Sequence, residues 1–413
     1  MTILLRGSSF RIFSPRTMTL AALVVAGTLL HASSVQAKTF VVSNTGVNCY
    51  PSVAGPLYPT IQAAVNAVPI TASATHLVVV CPGTYPEQLK VTKNVTITGV
   101  LRDGTDPPEI YGNSNEAVIV PPVSGLVADP ALPDNVAAQV TVMNAADVNL
   151  TNLSVDGTDI GCPSAGGLPV PVAGIAIFNA GTVGTGNRIT VKQSVVHNQI
   201  GYCPGGGGLE RSYQGMGILA HSSWFTLDSN SVSNVDLQLI HQIAGIGITK
   251  SNLLTQAWHG IKLTDVSATD GLNAVGSTVT TNIVNSLSTA IFLERSSHVA
   301  ITSNTITNWS GTGISLIDYS TDNTITSNKI IDAWQGINLD AGTARTIVRL
   351  NAITRVFQVA IIDRFSGGGN SITTNTIQQA PVGIWTYLPA DDIINPNTFY
   401  NTTTLNFSGP SLP

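Results

Sequence analysis

Between Ala290 and Tyr387, short apolar stretches alternate with Thr, Ser and Asn, and the whole pattern returns every 23 or 24 residues. Asn304–Ile306 (NTI), Asn328–Ile330 (NKI), Asn351–Ile353 (NAI) and Asn375–Ile377 (NTI) mark one position of each unit. Gly313-Ile314, Gly336-Ile337, Ala360-Ile361 and Gly383-Ile384 mark a second, in step with the first. Inside a unit the period is two, in runs too short for a packed helix. A unit of this kind cannot bury its apolar side alone, whereas stacked copies can. With neighbouring strands at ~4.8 Å, each coil supplies one rung to each sheet of a parallel β-solenoid, and equivalent residues stack. Ile301, Ile325, Ile347 and Ile372 form one predicted internal column. Ile306, Ile330, Ile353 and Ile377 form a second, and Ile291, Ile314, Ile337, Ile361 and Ile384 a third. Asn282, Asn304, Asn328, Asn351 and Asn375 are expected to stack at a turn, their amides satisfying one another and the backbone. Trp258, Trp334 and Phe357, with Trp309 one place out of step, form an aromatic series. It reads either as a ladder shielding a corner or as a platform on which sugars stack.

The pattern also divides the chain. Residues 38–48 read as a first strand. Residues 58–68 read as a short amphipathic helix capped by Thr60 and stopped by Pro69, with Ile61, Ala64, Val65 and Val68 on one face. A helix in that position covers the open end of the first coil. The solenoid domain is predicted over 38–390, followed by a tail, 391–413, with one strand at 403–407. Interruptions near 101–139, 157–172, 201–212 and 265–276 are expected to project as loops, and 233–247 breaks the register.

Residues 1–37 carry Arg6, Arg11 and Arg16, an apolar core from Leu20 to Leu30, and the small-residue site Val35-Gln36-Ala37. These are the marks of a secretory signal peptide. No later stretch has the length and apolarity of a membrane helix. Charged residues make up 10% of the chain, against about 25% in ordinary soluble domains. The net charge is -5, and no Lys/Arg cluster suggests a nucleic-acid partner. The four cysteines, Cys49, Cys81, Cys162 and Cys203, all follow the leader and point to disulfides in a secreted or extracytoplasmic protein, periplasmic or surface-bound. Three pairings exist; nearness in sequence favours Cys49–Cys81 with Cys162–Cys203.

Alignment at Gly-Ile brings His221, Lys262 with Asp265, Glu294-Arg295, Asp318, Asp340 and Asp363-Arg364 just past the strand, as a stripe along one edge. Two carboxylates on adjacent rungs suit glycoside cleavage, at about 5–5.5 Å for retention or 6.5–9.5 Å for inversion. Paired carboxylates equally suit Ca²⁺, and a base beside a cation suits β-elimination on a uronate. Glu294, Asp318, Asp340, Lys262 and His221 are the catalytic candidates, and Trp258, Trp309, Trp334, Arg295 and Arg364 the substrate-binding ones. His241 and His259 come next; His241 is expected in a loop with Asp236, and His259 to pack beside Trp258. The bland reading of the same stripe is a wet surface of paired charges. The run Gly205–Gly208 lacks the Gly-Lys-Ser/Thr continuation of a phosphate loop.

Units such as Gly313–Ile330 (GISLIDYSTDNTITSNKI) resemble the repeats of the pectin lyase-like superfamily, including its periplasmic nitrous-oxide-maturation and epimerase-like members. The segments 58–67 (YPTIQAAVNA), 82–87 (PGTYPE) and 95–99 (VTITG) resemble the start of pectin methylesterases. Together the resemblance spans most of residues 40–388. The DFIFG-like and GRPW-like segments of the methylesterases and the DPHD-type motif of alginate epimerases are absent, so those activities do not carry over. The resemblance implies an all-β, right-handed, single-stranded parallel β-helix with an N-terminal capping helix, and polyuronates or other acidic or neutral glycans as substrates. The function expected is that of a secreted carbohydrate-active protein, a polysaccharide lyase or glycoside hydrolase. The alternative is a non-catalytic glycan-binding or structural cell-surface β-helix.

Overall fold

A computed structural model describes residues 37–413 apart from 53–54, 71–75, 101–115, 166–167, 183–186, 202–214, 268–275, 309, 341, 388–390 and 410–413. The expected signal peptide, Trp309, Cys203 and the run Gly205–Gly208 fall outside the described residues. The chain winds into a right-handed parallel β-helix of three sheets. Sheets A, B and C hold 13, 12 and 12 strands, each strand pairing with its equivalent in the next coil. A two-stranded antiparallel hairpin, Ser164–Ala165 with Leu168–Pro169, stands apart from them.

Register follows the repeat. Ile291, Ile314, Ile337, Ile361 and Ile384 stack in sheet C, and Ile306, Ile330, Ile353 and Ile377 in sheet B. In sheet A the column is Ile301, Ile325, Val348 and Ile372. Val348, not the expected Ile347, points inward, and Ile347 is 40% exposed. The turn fixes this: each inward residue lies three positions before a ladder asparagine, and counting back from Asn351 gives Val348.

That turn, from sheet A to sheet B, takes two residues. The first adopts positive φ, as at Ser303 (57°), Ser327 (59°), Leu350 (57°) and Thr374 (56°). The second is the buried asparagine. The Oδ1 of Asn328 accepts from the backbone N–H and Nδ2 of Asn304 at 3.0 and 2.9 Å, while its own Nδ2 donates to the carbonyl of Ile301 at 2.9 Å. The ladder begins earlier and ends later than the repeat suggested, running from Asn230 and Asn252 to Asn397. Non-glycine residues at positive φ cost roughly 1–2 kcal/mol each; the saturated amide ladder offsets that strain coil by coil.

The first coil is closed by the helix Ile61–Ala67, whose Ile61, Ala64 and Val65, followed by Val68, join the core. Thr60 caps it by accepting from Ala63 N–H. Two distant side chains complete the caps. Glu87 accepts from the N–H groups of Ile61 and Gln62 at 2.8 Å each. Lys93 Nζ donates to the carbonyls of Val65, Asn66 and Val68. Each charge sits at the helix end whose dipole it complements. Cys49 and Cys81 form a disulfide beside this cap. Cys162 is disulfide-bonded too, its partner lying outside the described residues.

Three features differ from the sequence reading. The stretch 233–247 keeps register, with strands Ser231–Val235 and Gln238–Ile243 paired on both sides. Inside 101–139, Ala117–Val120 and the start of Ala137–Met143 are solenoid strands. Beyond 390 the expected strand is found at Thr404–Ser408, but a second one, Thr398–Tyr400, precedes it, and the two extend sheets C and B by one more rung.

Candidate functional site: the outer face of sheet C

The outer face of sheet C changes character along the helix axis. Near the N-terminal end, Ala173, Ala176, Met216 and Leu219 are buried beneath Leu132 and Val136 of the loop that joins sheets B and C. Near the C-terminal end, Val359, Ile362, Val382 and Trp385 form another buried apolar cluster with Phe407, and the indole N–H of Trp385 donates to the carbonyl of Gly409 at 2.9 Å. The five rungs between them, Gln238–Ile243, His259–Thr264, Thr289–Glu294, Thr312–Ile317 and Gln335–Leu339, present mostly polar and aromatic side chains. At ~4.8 Å per rung this open floor is roughly 19 Å long.

The ladder read across the floor is His241, Lys262, Phe292, Ser315 and Asn338. A second ladder holds Gln238, His259, Thr289, Thr312 and Gln335. Lys262 Nζ is 3.0 Å from a Glu294 carboxylate oxygen and 5.4 Å from the centre of the Phe292 ring. The His259 imidazole stacks on the same ring, with centroids 5.6 Å apart and planes 10° from parallel. His241 Nε2 lies 3.3 Å from Thr264 Oγ1. At the far end Asn338 donates to Ser315 at 3.3 Å, and Thr312, Gln335 and Gln358 form a chain of side-chain bonds.

Burial, reinforced by the Lys262 charge, pushes His241 down to about 3 and His259 down to about 4. Burial also lowers His221. All three imidazoles are therefore neutral at neutral pH. For Glu294, burial alone would raise its pKa, but hydrogen bonds from Lys262 and Arg295 outweigh it and hold the carboxyl below its usual range.

Of the sequence candidates, Glu294 and Lys262 meet directly. Arg295 binds Glu294 at 2.5 Å and Asp265 at 2.7 Å, and comes within 3.9 Å of Asp318. These residues stand on the edge where sheet C turns towards sheet A. Asp340 is further along the same edge, 3.3 Å from Arg364, whose guanidinium lies over Phe365 and Trp385. His221 sits at the opposite limit of the floor against Phe178, level with Ile243 rather than His241. Trp258 and Trp334 lie on the turn from sheet B to sheet C and are 50% and 49% exposed, as is Phe357 at 48%. About half of each of these side chains faces solvent.

Two placements are corrected. His241 belongs to a strand on the floor, not to a loop. Asp363 is not part of the edge stripe: it follows Leu316 and Leu339 in an inward column and is fully buried. Phe292, the ring that organises Lys262 and His259, was missed; only its place one residue after Ile291, and hence outward, signals it. Among the described residues, no three His, Cys, Asp or Glu side chains come together to hold a metal ion. The edge carboxylates that suited Ca²⁺ are held by arginines instead. No described helix is long and apolar enough to cross a membrane.

A family model described as periplasmic copper-binding protein (NosD) matches residues 185–379 and 273–410, together more than half of the chain. No curated protein matches it by sequence. Among solved structures, PfbA, a surface adhesin of Streptococcus pneumoniae, superposes with a TM-score of 0.51 at 13% identity, over 83% of this chain and 86% of its own. The A-module of Azotobacter vinelandii mannuronan C-5 epimerase AlgE4 gives a TM-score of 0.49 at 14% identity, over 85% and 94%. At such identities the likeness is one of fold.

Proposed function

The chain belongs to the NosD family, and from that premise we propose that it is an extracytoplasmic protein that binds a glycan along the open floor of sheet C. The disulfides support a location outside the reducing cytoplasm. The family description names copper, which imidazole, thiolate and thioether donors hold. Here Cys49, Cys81 and Cys162 are tied up in disulfides, and the two described methionines, Met143 and Met216, are buried. His221, His241 and His259 come from three successive rungs but are offset along their strands. The described donor set does not fit an enclosed copper centre.

The observation that carries the glycan reading is the floor itself. It is a strip of hydroxyl, amide and imidazole groups with a half-buried aromatic ring, open between two apolar, covered ends. Sugars offer many hydroxyls that both donate and accept, and ring faces that stack on aromatics; the partly exposed Thr312, Gln335, Asn338 and Phe292 match both needs. Cleavage has weaker support. Hydrolysis needs one protonated carboxylic acid beside a carboxylate. Glu294 is held ionised by Lys262 and Arg295. β-Elimination needs a base and a cation for the uronate, and Lys262 is already engaged by Glu294.

The test is incubation of residues 38–413, disulfides intact, with a panel of polysaccharides, measuring retention on the polymer, new reducing ends and unsaturated products. Retention without products, weakened by Asn338→Ala, is expected. Reducing ends that disappear in Glu294→Gln would make this a hydrolase, and unsaturated products would make it a lyase. No retention and no product on any polymer would remove the glycan reading.

A further inference from the structure

We propose that the glycan held on sheet C is an uncharged one, a proposal that rests on the glycan-binding reading above. The charges of the floor and its edge are matched to one another. Lys262 faces Glu294 at 3.0 Å. Arg295 is shared between Asp265 and Glu294, with Asp318 at 3.9 Å. Arg364 faces Asp340 at 3.3 Å. Three cations thus stand against four carboxylates, and the imidazoles of His221, His241 and His259 add no positive charge at neutral pH.

A polyuronate brings a carboxylate with every sugar. To bind here it would have to draw Lys262 or Arg295 away from Glu294. The loss would fall on a carboxylate that is itself partly buried, and stripping a partner from such a group costs more than a surface pair returns. The net field of the edge would also repel the incoming anion. A neutral chain leaves these ion pairs intact. The half of the floor beyond Phe292 carries Thr312, Ser315, Gln335 and Asn338, side chains that both donate and accept hydrogen bonds without charge. Asn338 and Ser315 already hydrogen-bond to each other at 3.3 Å, which holds them in place for a ligand. Phe292 and His259 supply the stacking surface at the other half.

The proposal is tested by applying residues 38–413 to an array of neutral, aminated and uronate oligosaccharides, then titrating the bound ones at low and high salt. Neutral oligosaccharides should bind, with an affinity that changes by less than about twofold with salt. Asn338→Ala should weaken binding about tenfold while leaving the melting temperature in place, and Phe292→Ala should weaken it at least as much. A preference for uronates, with affinity that falls at high salt, would overturn the uncharged ligand and leave glycan binding standing. Absence of binding across the whole array would overturn both.

Discussion

Asp363 stands where Leu316 and Leu339 stand in the coils before it, with its carboxyl against that of Asp392 and bonded by Asn370 Nδ2 at 3.3 Å. Burial, with the Asp392 carboxyl adding to it, pushes its pKa up to about 7. The folded protein therefore keeps a proton that the unfolded chain releases near pH 3.9. Stability is undiminished below that value and falls as pH rises towards 7, by about 1.4 kcal/mol per pH unit between the two. Asp363→Asn keeps the shape and removes the titration. It should match the parent near pH 4 and exceed it by a few kcal/mol above pH 7, read from urea melts across that range; parallel pH profiles would show that Asp363 does not carry this proton. Asn328 gives a second expectation. Asn328→Ala leaves the buried N–H and Nδ2 of Asn304 and the carbonyl of Ile301 without their partner. A loss of about 2–4 kcal/mol in urea denaturation is expected, well beyond a surface change. The asparagine ladder was legible because its spacing is regular. Asp363 was not, because the Asp-Arg pair sits one residue deeper in its strand than Glu294-Arg295 does, and alignment by Gly-Ile hides the difference between an inward and an outward side chain.

At the scale of elements, the capping helix shows where local signals stop. Thr60, the apolar face and Pro69 lie within a dozen residues of one another, and they gave the helix to within three residues at its start and one at its end. Glu87 and Lys93, which hold its two ends, come from the turns on either side of the strand Leu89–Val91 and leave no local mark. Glu87→Ala removes two charge-assisted bonds from partly buried N–H groups, so a loss of about 2–3 kcal/mol is expected. Hydrogen exchange should rise first in Ile61–Ala67 and in the adjoining strand Leu89–Val91. Exchange that rises equally in the last coils would mean that the cap and the solenoid unfold as one unit. The strand Gln238–Ile243 taught the opposite lesson. Its Leu239, Ile240 and Gln242 blur the alternation, and only pairing with Met216–His221 and His259–Thr264 reveals that His241 faces out.

The whole molecule explains why the open floor exists. A parallel solenoid leaves two raw ends and a long outer face on every sheet. Here the helix closes the N-terminal end, and apolar residues on sheet C are buried at both extremes, leaving polar ones in between. The sequence showed the repeat that stacks the coils. It did not show which outward positions are covered, since that depends on loops and on the tail, which the repeat does not describe. The tail is the sharpest case. Its strands Thr398–Tyr400 and Thr404–Ser408 supply the last rung of sheets B and C. Asn397 ends the asparagine ladder, Asp392 accepts from the N–H of Asn370, and Gly409 accepts from Trp385. Deletion of residues 391–413 should therefore unpair the strands Thr376–Gln378 and Val382–Tyr387, expose Trp385 and leave two sheet edges bare. Several kcal/mol of lost pairing and burial in a domain of this size should lower the melting temperature by at least ~5 °C. Tryptophan emission should shift to the red, and light scattering should report association through the exposed edges. A truncated chain that stays monomeric with unchanged melting would show instead that the solenoid is complete before residue 391, and that the covered end of the sheet C floor owes nothing to the tail.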